Sequence, residues 1–437
     1  MTHRQRLQVA QIAIGSLVLF ACSEPAAPPP SDEDRPLNVL LITVDTLRAD
    51  HLGCYGYDRP TSPRIDALAE ESLVFDDAQA TSSWTLPSLV SLMTSVYPSS
   101  HGCVKRDIAL GDSFETLAEK LRDEGYYTGG IVSQAFASRR YGLDRGFQSF
   151  DDDLAELSRG HELFKKTSQT ITGKAEKWLK ARAAEPDPRP WFLWLHYFDP
   201  HVAYVSHAGY SEQFGTKEEL DLYDGEIAWT DFHVGRVLDV LGESGLDEHT
   251  LIVFTSDHGE EFSDHGGLYH RNTLYREVLH VPLIVRVPQG ERGRTNRPTS
   301  LVDVAPTILE LADVSPPPRI HGNSALASEG SLLPKKGSVL AELTREDGSE
   351  LFAAIIGDQK WITGDETALG FTRESDPLEL SPIDYDDEIL ASVRRITIEL
   401  KSYTAIYSHL AGPRIDAALT PEELDALRGL GYAGEDD

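Results

Sequence analysis

Two apolar runs that each end at an aspartate constrain this chain more than any other feature. Val39-Leu40-Leu41-Ile42-Thr43-Val44 stops at Asp45, and Leu251-Ile252-Val253-Phe254 leads through Thr255-Ser256 into Asp257-His258. Short runs without polar alternation read as strands buried on both faces, hence as parallel neighbours covered by helices. Asp45, Asp257 and His258 then emerge at carboxyl ends of strands, where open α/β sheets bind their ligands. Two carboxylates and an imidazole on one edge suit a divalent cation.

A third run, Trp191-Phe192-Leu193-Trp194-Leu195-His196-Tyr197, precedes Asp199-Pro200-His201. Between the runs, Thr61-Ser62-Pro63 opens a helix and Thr85-Leu86-Pro87 opens another, each with Pro in its first turn. Further helices are expected from Asp112 or Ser113 to Glu124, from His161 to Ala184, from Glu218 to Leu241 and from Val302 to Leu311. Strands are expected at Tyr126 to Ser133 and at Val281 to Val285. The alternation predicts an α/β fold, a mixed sheet flanked by helices, over residues 37–316. Beyond Pro316-Pro317-Pro318 the pattern changes. Val339-Leu340-Ala341, Leu351 to Ile355 and Lys360-Trp361-Ile362 read as short antiparallel strands, so residues 317–437 form a small α+β subdomain and tail.

The N-terminus reads as a targeting segment. His3-Arg4-Gln5-Arg6 is basic, and Val9 to Phe20 is apolar but too short to span a bilayer, so residues 1–21 form a signal peptide. Leu19-Phe20-Ala21-Cys22 resembles a bacterial lipobox, which implies a lipidated Cys22 as mature N-terminus; an ordinary secretory signal is the alternative. Residues 22–36, rich in Pro, Ala and acid, are a flexible tether. The expectation is an extracytoplasmic lipoprotein held on a bacterial membrane, at the periplasm or the cell surface. With 71 Asp+Glu against 40 Lys+Arg and a formal charge of −31, nucleic acid is not an expected partner. Cys54 and Cys103 remain, and both a disulfide and two buried thiols stay open.

Thr85 is the candidate nucleophile. At a helix N-terminus, free N–H groups and the dipole favour negative charge, and a nearby divalent cation would activate the hydroxyl. By position alone it also reads as a helix cap. An ordered set of motifs speaks for the first reading. Asp45-Thr46-Leu47-Arg48-Ala49-Asp50-His51, Trp84-Thr85-Leu86-Pro87-Ser88, Tyr97-Pro98, His101-Gly102, Asp199-Pro200-His201, Ser256-Asp257-His258-Gly259-Glu260, Asp264-His265-Gly266 and Leu274-Tyr275 with Val281-Pro282-Leu283 together resemble the sulfatase family, within the alkaline phosphatase superfamily of metal-dependent ester hydrolases.

The resemblance implies an alkaline-phosphatase-like fold and a nucleophile at Thr85. It implies one divalent ion held by Asp45, Thr85, Asp257 and His258, and substrate contact through His201 and through His270 or Arg271. Three departures shape the expected activity. The family's Cys-X-Pro-Ser-Arg motif, matured to formylglycine, is here Thr85-Leu86-Pro87-Ser88-Leu89. Thr cannot become formylglycine, and Leu89 cannot ion-pair with the aldehyde hydrate. Thr46 replaces the second Asp of the family's pair, and His258 stands where Asn is common. One imidazole among fewer carboxylates favours Mn²⁺ or Zn²⁺, with Ca²⁺ and Mg²⁺ left open. The variant thus resembles the phosphotransferring branch, including lipoteichoic-acid-synthase-like and phosphonate-hydrolase-like enzymes.

The expected activity is hydrolysis or transfer of a phosphate or sulfate ester, an anionic substrate, with phosphoesters preferred. A true sulfuric ester hydrolase is the alternative within the family, and a non-catalytic metal-binding scaffold lipoprotein is the alternative outside it. Among the other histidines, His51, His101 and His280 read as structural. His196 reads as a satisfied core histidine, and His265 is open between loop architecture and substrate contact.

Overall fold

The computed structural model describes residues 35–155, 167–185, 189–326, 338–364, 368–411, 415–417 and 420–422. The expected signal peptide, Cys22 and nearly all of the tether lie outside the described residues. In chain order the elements that frame the site begin with β1 (Asn38–Val44), α1 (Pro63–Glu70), β2 (Leu73–Phe75) and α2 (Thr85–Thr94). They continue with α3 (Leu117–Asp123), β3 (Tyr127–Val132), β4 (Ser149–Asp151), α4 (Thr167–Ala184) and β5 (Trp191–Tyr197). Then come α5 (Glu219–Glu243), β6 (Thr250–Ser256), β7 (Leu283–Arg286), β8 (Gly293–Thr295) and α6 (Val304–Leu311). The strands form an eight-stranded sheet in the order β8-β2-β7-β6-β1-β5-β3-β4. β6, β1, β5, β3 and β4 run parallel, whereas β7 is antiparallel to both β6 and β2. This is the expected mixed α/β architecture.

Every residue of β1, β5 and β6 is buried, as their uninterrupted apolar runs demand. Alternate side chains enter two cores. Val39 and Leu41 of β1, Phe192 and Trp194 of β5, and Leu251 and Val253 of β6 pack with α2, α3 and α6. Leu40, Ile42, Leu193, Leu195, Ile252 and Phe254 pack with α1, α4 and α5 on the opposite face. The same alternation carried forward sends Asp45, His196 and Asp257 to the face that holds α2.

Helix α3 begins later than expected. Thr116 accepts from the Glu119 backbone N–H and Glu119 reaches back to Thr116, a capping box that fixes the start at Leu117 rather than at Asp112 or Ser113. The strand expected at Val281 to Val285 divides at Pro282, which has no N–H for the ladder, into His280–Val281 and β7.

The C-terminal sheet is antiparallel, with β9 (Ser338–Thr344), β10 (Glu350–Ile356), β11 (Gln359–Gly364) and β12 (Ala368–Thr372) in sequential order. Helix α7 (Asp387–Thr404) lies against β10 and β11 and puts Leu400 into a small core with Leu340, Phe352 and Tyr97. Cys54 and Cys103 are free thiols. No helix among the described residues is long and apolar enough to cross a membrane.

Candidate active site

Parallel register builds the site. Val44 pairs with both Tyr197 and Ser256, so Asp45 and Asp257 are the first residues past two neighbouring strands. Thr43 pairs with His196, which sets that imidazole beside Asp45. Thr85 is the first helical residue of α2, after Trp84 at the N-cap position. Ser88 ties the same turn to the strand end by donating to the Asp257 carbonyl at 2.6 Å.

Asp45, Thr85, Asp257 and His258 come together. His258 Nε2 lies 3.5 Å from Asp45 Oδ1 and 3.5 Å from Asp257 Oδ2. Thr85 Oγ1 is 3.3 Å from the same nitrogen. All four residues are fully buried. His258 Nδ1 faces the Gly259 carbonyl at 2.8 Å and must carry the proton there, which leaves Nε2 with a lone pair. Asp45 Oδ1 and Asp257 Oδ2 are buried without a hydrogen-bond partner. Such atoms are rare in a folded protein because each costs about 1–3 kcal/mol. Donors around a tetrahedral ion at roughly 2.1 Å lie roughly 3.4 Å apart, which matches these separations. The donor set therefore fits a divalent cation.

His196 corrects the reading of a satisfied core residue. Its Nδ1 is 2.7 Å from Thr43 Oγ1, whose own hydroxyl is directed at the Leu195 carbonyl, so Nδ1 is the donor. Its Nε2 has no hydrogen-bond partner and lies 3.9 Å from Asp45 Oδ2. Ligand atoms of Asp45, His196 and Asp257 all lie within 4.8 Å of one another. Both this trio and the His258 trio are drawn around Asp45, and the shorter contacts belong to His258. Gln134, two residues past β3, donates to Asp45 Oδ2 at 2.9 Å and so turns Oδ1 toward His258.

Burial, then the charge of Asp257, pushes the Asp45 carboxyl well above its ordinary range. Burial pulls His196 down to about 4. A nearby cation would favour the ionised Asp45 carboxylate, and the lowered His196 keeps the neutral imidazole that can ligate a metal.

His201 and His270 border the cluster. The His270 ring is 4.7 Å from the His258 ring and 5.0 Å from His201, and His201 stacks on Phe198. Tyr269 and Arg271 both adopt positive φ, 69° and 72°, a costly conformation for non-glycine residues that aims His270 inward. His270 Nδ1 is 2.8 Å from Glu260 Oε1, while Tyr204 donates to Glu260 Oε2 at 2.8 Å. Burial raises the Glu260 carboxyl to about 8. Burial also lowers both His201 and His270. Glu260 ends the Ser256-Asp257-His258-Gly259-Glu260 stretch, yet nothing local signals that it faces His270, because the hairpin Glu261–Phe262/Leu268–Tyr269 intervenes.

Arg271 points elsewhere. Its guanidinium stands 4.4 Å from the centre of the Trp84 ring and pairs with Glu346. The Thr46 hydroxyl donates to the Pro200 carbonyl, and its backbone N–H reaches Asp257 Oδ1 at 3.3 Å. His265 bonds Glu277 and the Glu379 carbonyl, and His51 bonds Asp224. A cavity of about 480 Å³ between α2 and the C-terminal sheet touches this region only through Trp84 and Pro87.

The fold and this edge define a mixed α/β protein with a cation-ready cluster beside a helix-terminal hydroxyl. The family model described as Sulfatase matches residues 37–314, and the chain belongs to the sulfatase family of ester hydrolases. It is 26% identical over 432 residues to the uncharacterized sulfatase YidJ of Escherichia coli K12, covering 82% of this chain and 84% of that protein. Its fold is similar to that of the phosphonate monoester hydrolase of Agrobacterium radiobacter, with a TM-score of 0.72 at 22% identity over 85% of this chain and 96% of the other. It is also similar to BT4656 in complex with its substrate D-glucosamine-2-N,6-O-disulfate, with a TM-score of 0.68 at 18% identity over 87% and 100% of the two chains.

Proposed function

We propose that this chain is an extracytoplasmic phosphoesterase or phosphotransferase of the sulfatase family, with Thr85 as nucleophile and one divalent ion, Mn²⁺ or Zn²⁺, as cofactor. The observation that carries the reading is the meeting of Thr85 Oγ1, the lone-pair nitrogen His258 Nε2 and the two unpartnered carboxylate oxygens of Asp45 and Asp257. Asp45, Asp257 and His258 would hold the ion, with Thr85 and His196 within its reach. When bound, the ion would supply positive charge for the attacking and equatorial oxygens of the ester.

The chain's own groups do the rest. Thr85 opens helix α2, whose dipole favours negative charge developing at its N-terminus. His201 Nδ1–H donates to the Val202 carbonyl at 2.5 Å, which fixes the ring at the border of the cluster. His270 is held by Glu260 and lines the opposite wall. Burial of the whole cluster excludes water until the ester enters.

Leu89 argues for phosphoesters over sulfate esters. It is fully buried in the apolar core, so no guanidinium stands where the formylglycine site uses one. Similarity to a phosphonate monoester hydrolase agrees with that preference, and similarity to a protein bound to a sulfated sugar keeps sulfate esters in the test. Anchorage through Cys22 completes the proposal: Cys22→Ala should release the protein from membranes, and an unmodified N-terminus at another residue would refute it.

The deciding experiment is a panel of aryl phosphate mono- and diesters, phosphonates and sulfates presented to the metal-replete protein. Phosphoesters should be turned over faster than the matched sulfate, and Thr85→Ser should keep part of the activity. Thr85→Cys should not produce an efficient sulfatase. Sulfatase activity that exceeds phosphoesterase activity and persists in Thr85→Ala would overturn the proposal.

A further inference from the structure

Residues 198–210, just past β5, contain no helix or strand, yet they carry His201. A stretch without regular structure takes its position from the groups that bond it. Its front is held twice. The Asp199 carboxylate accepts from the Thr167 hydroxyl at 2.6 Å and from the Ser168 N–H and hydroxyl at 3.1 and 2.6 Å, all at the start of α4. The Thr46 hydroxyl donates to the Pro200 carbonyl at 3.2 Å.

Four residues past His201, one side chain of α5 holds the other end. Glu226 is 2% exposed, and its Oε1 accepts the Val205 N–H at 2.9 Å. His207 Nε2 stands 3.7 Å from the same oxygen, past hydrogen-bond reach. Val205 therefore supplies the one hydrogen bond this carboxyl makes among the described residues. Gly225 lets the stretch lie against the helix, since a Cβ there would stand 2.4 Å from Ser211 Oγ and 2.9 Å from Ser211 Cα. Ser211 Oγ in turn accepts the His207 N–H at 2.9 Å, and the His207 ring stacks on Trp229.

A buried carboxyl is a costly way to satisfy one backbone N–H. What it pins lies at the site. Tyr204, the residue before Val205, donates to Glu260 Oε2 at 2.8 Å, and Glu260 Oε1 is 2.8 Å from His270 Nδ1. Between the two anchors, the His201 ring stands 5.0 Å from the His270 ring, which stands 4.7 Å from that of His258. We propose that Glu226 is a positioning residue for the reaction: by fixing Val205 it sets where the His201 imidazole stands against the ester. The inference rests on the proposed function. Burial, then the charge of Asp199, pushes the Glu226 carboxyl well above its ordinary range, so a neutral Gln is its close mimic.

The test is a double-substitution cycle in the full-length, metal-replete protein, read as kcat/KM on an aryl phosphate. Glu226→Leu should lower kcat/KM about thirtyfold and His201→Ala about a hundredfold, and the two together should cost little more than His201→Ala alone. Glu226→Gln should stay within about threefold of the parent. The control is Asp231, a second buried carboxylate of α5, which accepts the Arg64 and Ile65 N–H groups at the start of α1. Asp231→Asn should lower the thermal melt and leave kcat/KM within about twofold. Losses that multiply in the double variant overturn the inference, because Glu226 then acts on stability or elsewhere. A second readout needs no turnover: with ¹⁵N-labelled histidine, the His201 ring N–H signal, assigned by its loss in His201→Ala, should shift or broaden in Glu226→Leu while that of His258 stays. A His201 signal left in place also overturns it. Should Glu226→Leu fail to fold, Glu226→Ala takes its place in both readouts. Failure of the proposed function shows separately, as a parent protein that turns over no ester, and the ring signal then decides alone.

Discussion

Two of the buried charge clusters among the described residues are treated in opposite ways. In the C-terminal cluster, Lys360 Nζ meets both oxygens of Glu379 at 2.8 and 2.9 Å. Glu379 also accepts the Arg276 N–H, and its carbonyl meets His265, which bonds Glu277 and stacks on Tyr275. At the sheet edge, Asp45, Asp257 and His196 keep atoms that no protein group satisfies. Burial with every valence filled makes a brace; burial with valences left open makes a binding site. Charge and burial alone would rank the two clusters together, and only the count of unsatisfied atoms separates them.

The contrast can be broken by substitution. The largest effect belongs to the open cluster: Thr85→Ala should lower kcat by about 10³-fold or more while the thermal melt stays near that of the parent. Loss of fold along with activity would make Thr85 a structural residue. In the filled cluster the signs reverse. Lys360→Met leaves Glu379 buried and unpaired and should cost about 3 kcal/mol in chemical denaturation, while adding Glu379→Leu should restore much of it. Equal loss in both variants would deny the pair its role as a brace.

Two smaller effects sharpen the comparison. His196→Ala should weaken divalent-metal affinity by about tenfold, measured by competition with a chelator, without altering the melt of the metal-free protein. Unchanged affinity would return His196 to the core. His265 has both ring nitrogens on acceptors; burial pulls its pKa down, but the bonds to Glu277 and Glu379 outweigh that and raise it. A group with a raised folded-state pKa stabilises the fold fully below its unfolded value and loses that contribution as pH climbs through the folded value. Stability should therefore fall from near pH 6.5 upward by less than about 1 kcal/mol, and His265→Asn should flatten the slope. A slope that survives the substitution belongs to another group.

Much of the edge was legible before the fold was known. Asp45 and Asp257 each follow an apolar run, and strand polarity alone sends both to the same side. His258 follows by adjacency and Thr85 by the Pro in its helix's first turn. His196 was not legible, because it lies inside an apolar run and its role depends on register with Thr43 and on which face β5 presents. Parity does hold the clue: His196 shares its face with Phe192 and Trp194, the face toward α2. Gln134 and Glu260 act through contacts made across the sheet or across a hairpin, which local pattern does not encode. The start of α3 at Leu117, rather than at Asp112 or Ser113, is set by the Thr116/Glu119 capping box. Beyond residue 316, β12 is a short strand with only two buried positions, whereas α7 was legible in the helical spacing of Ile389, Val393, Ile396 and Leu400.

The Asp45–Asp257–His258 cluster is tested most directly through its cation. Elemental analysis of the purified full-length protein, dialysed against trace Mn²⁺ and Zn²⁺, should find one tightly held divalent ion per chain in the parent. Asp257→Ala, which removes one of the two open carboxylates and relieves the repulsion with Asp45, should remain folded and hold none. A parent protein that turns over esters at full rate with no bound metal, or an Asp257→Ala protein that binds the ion as tightly as the parent, would contradict it.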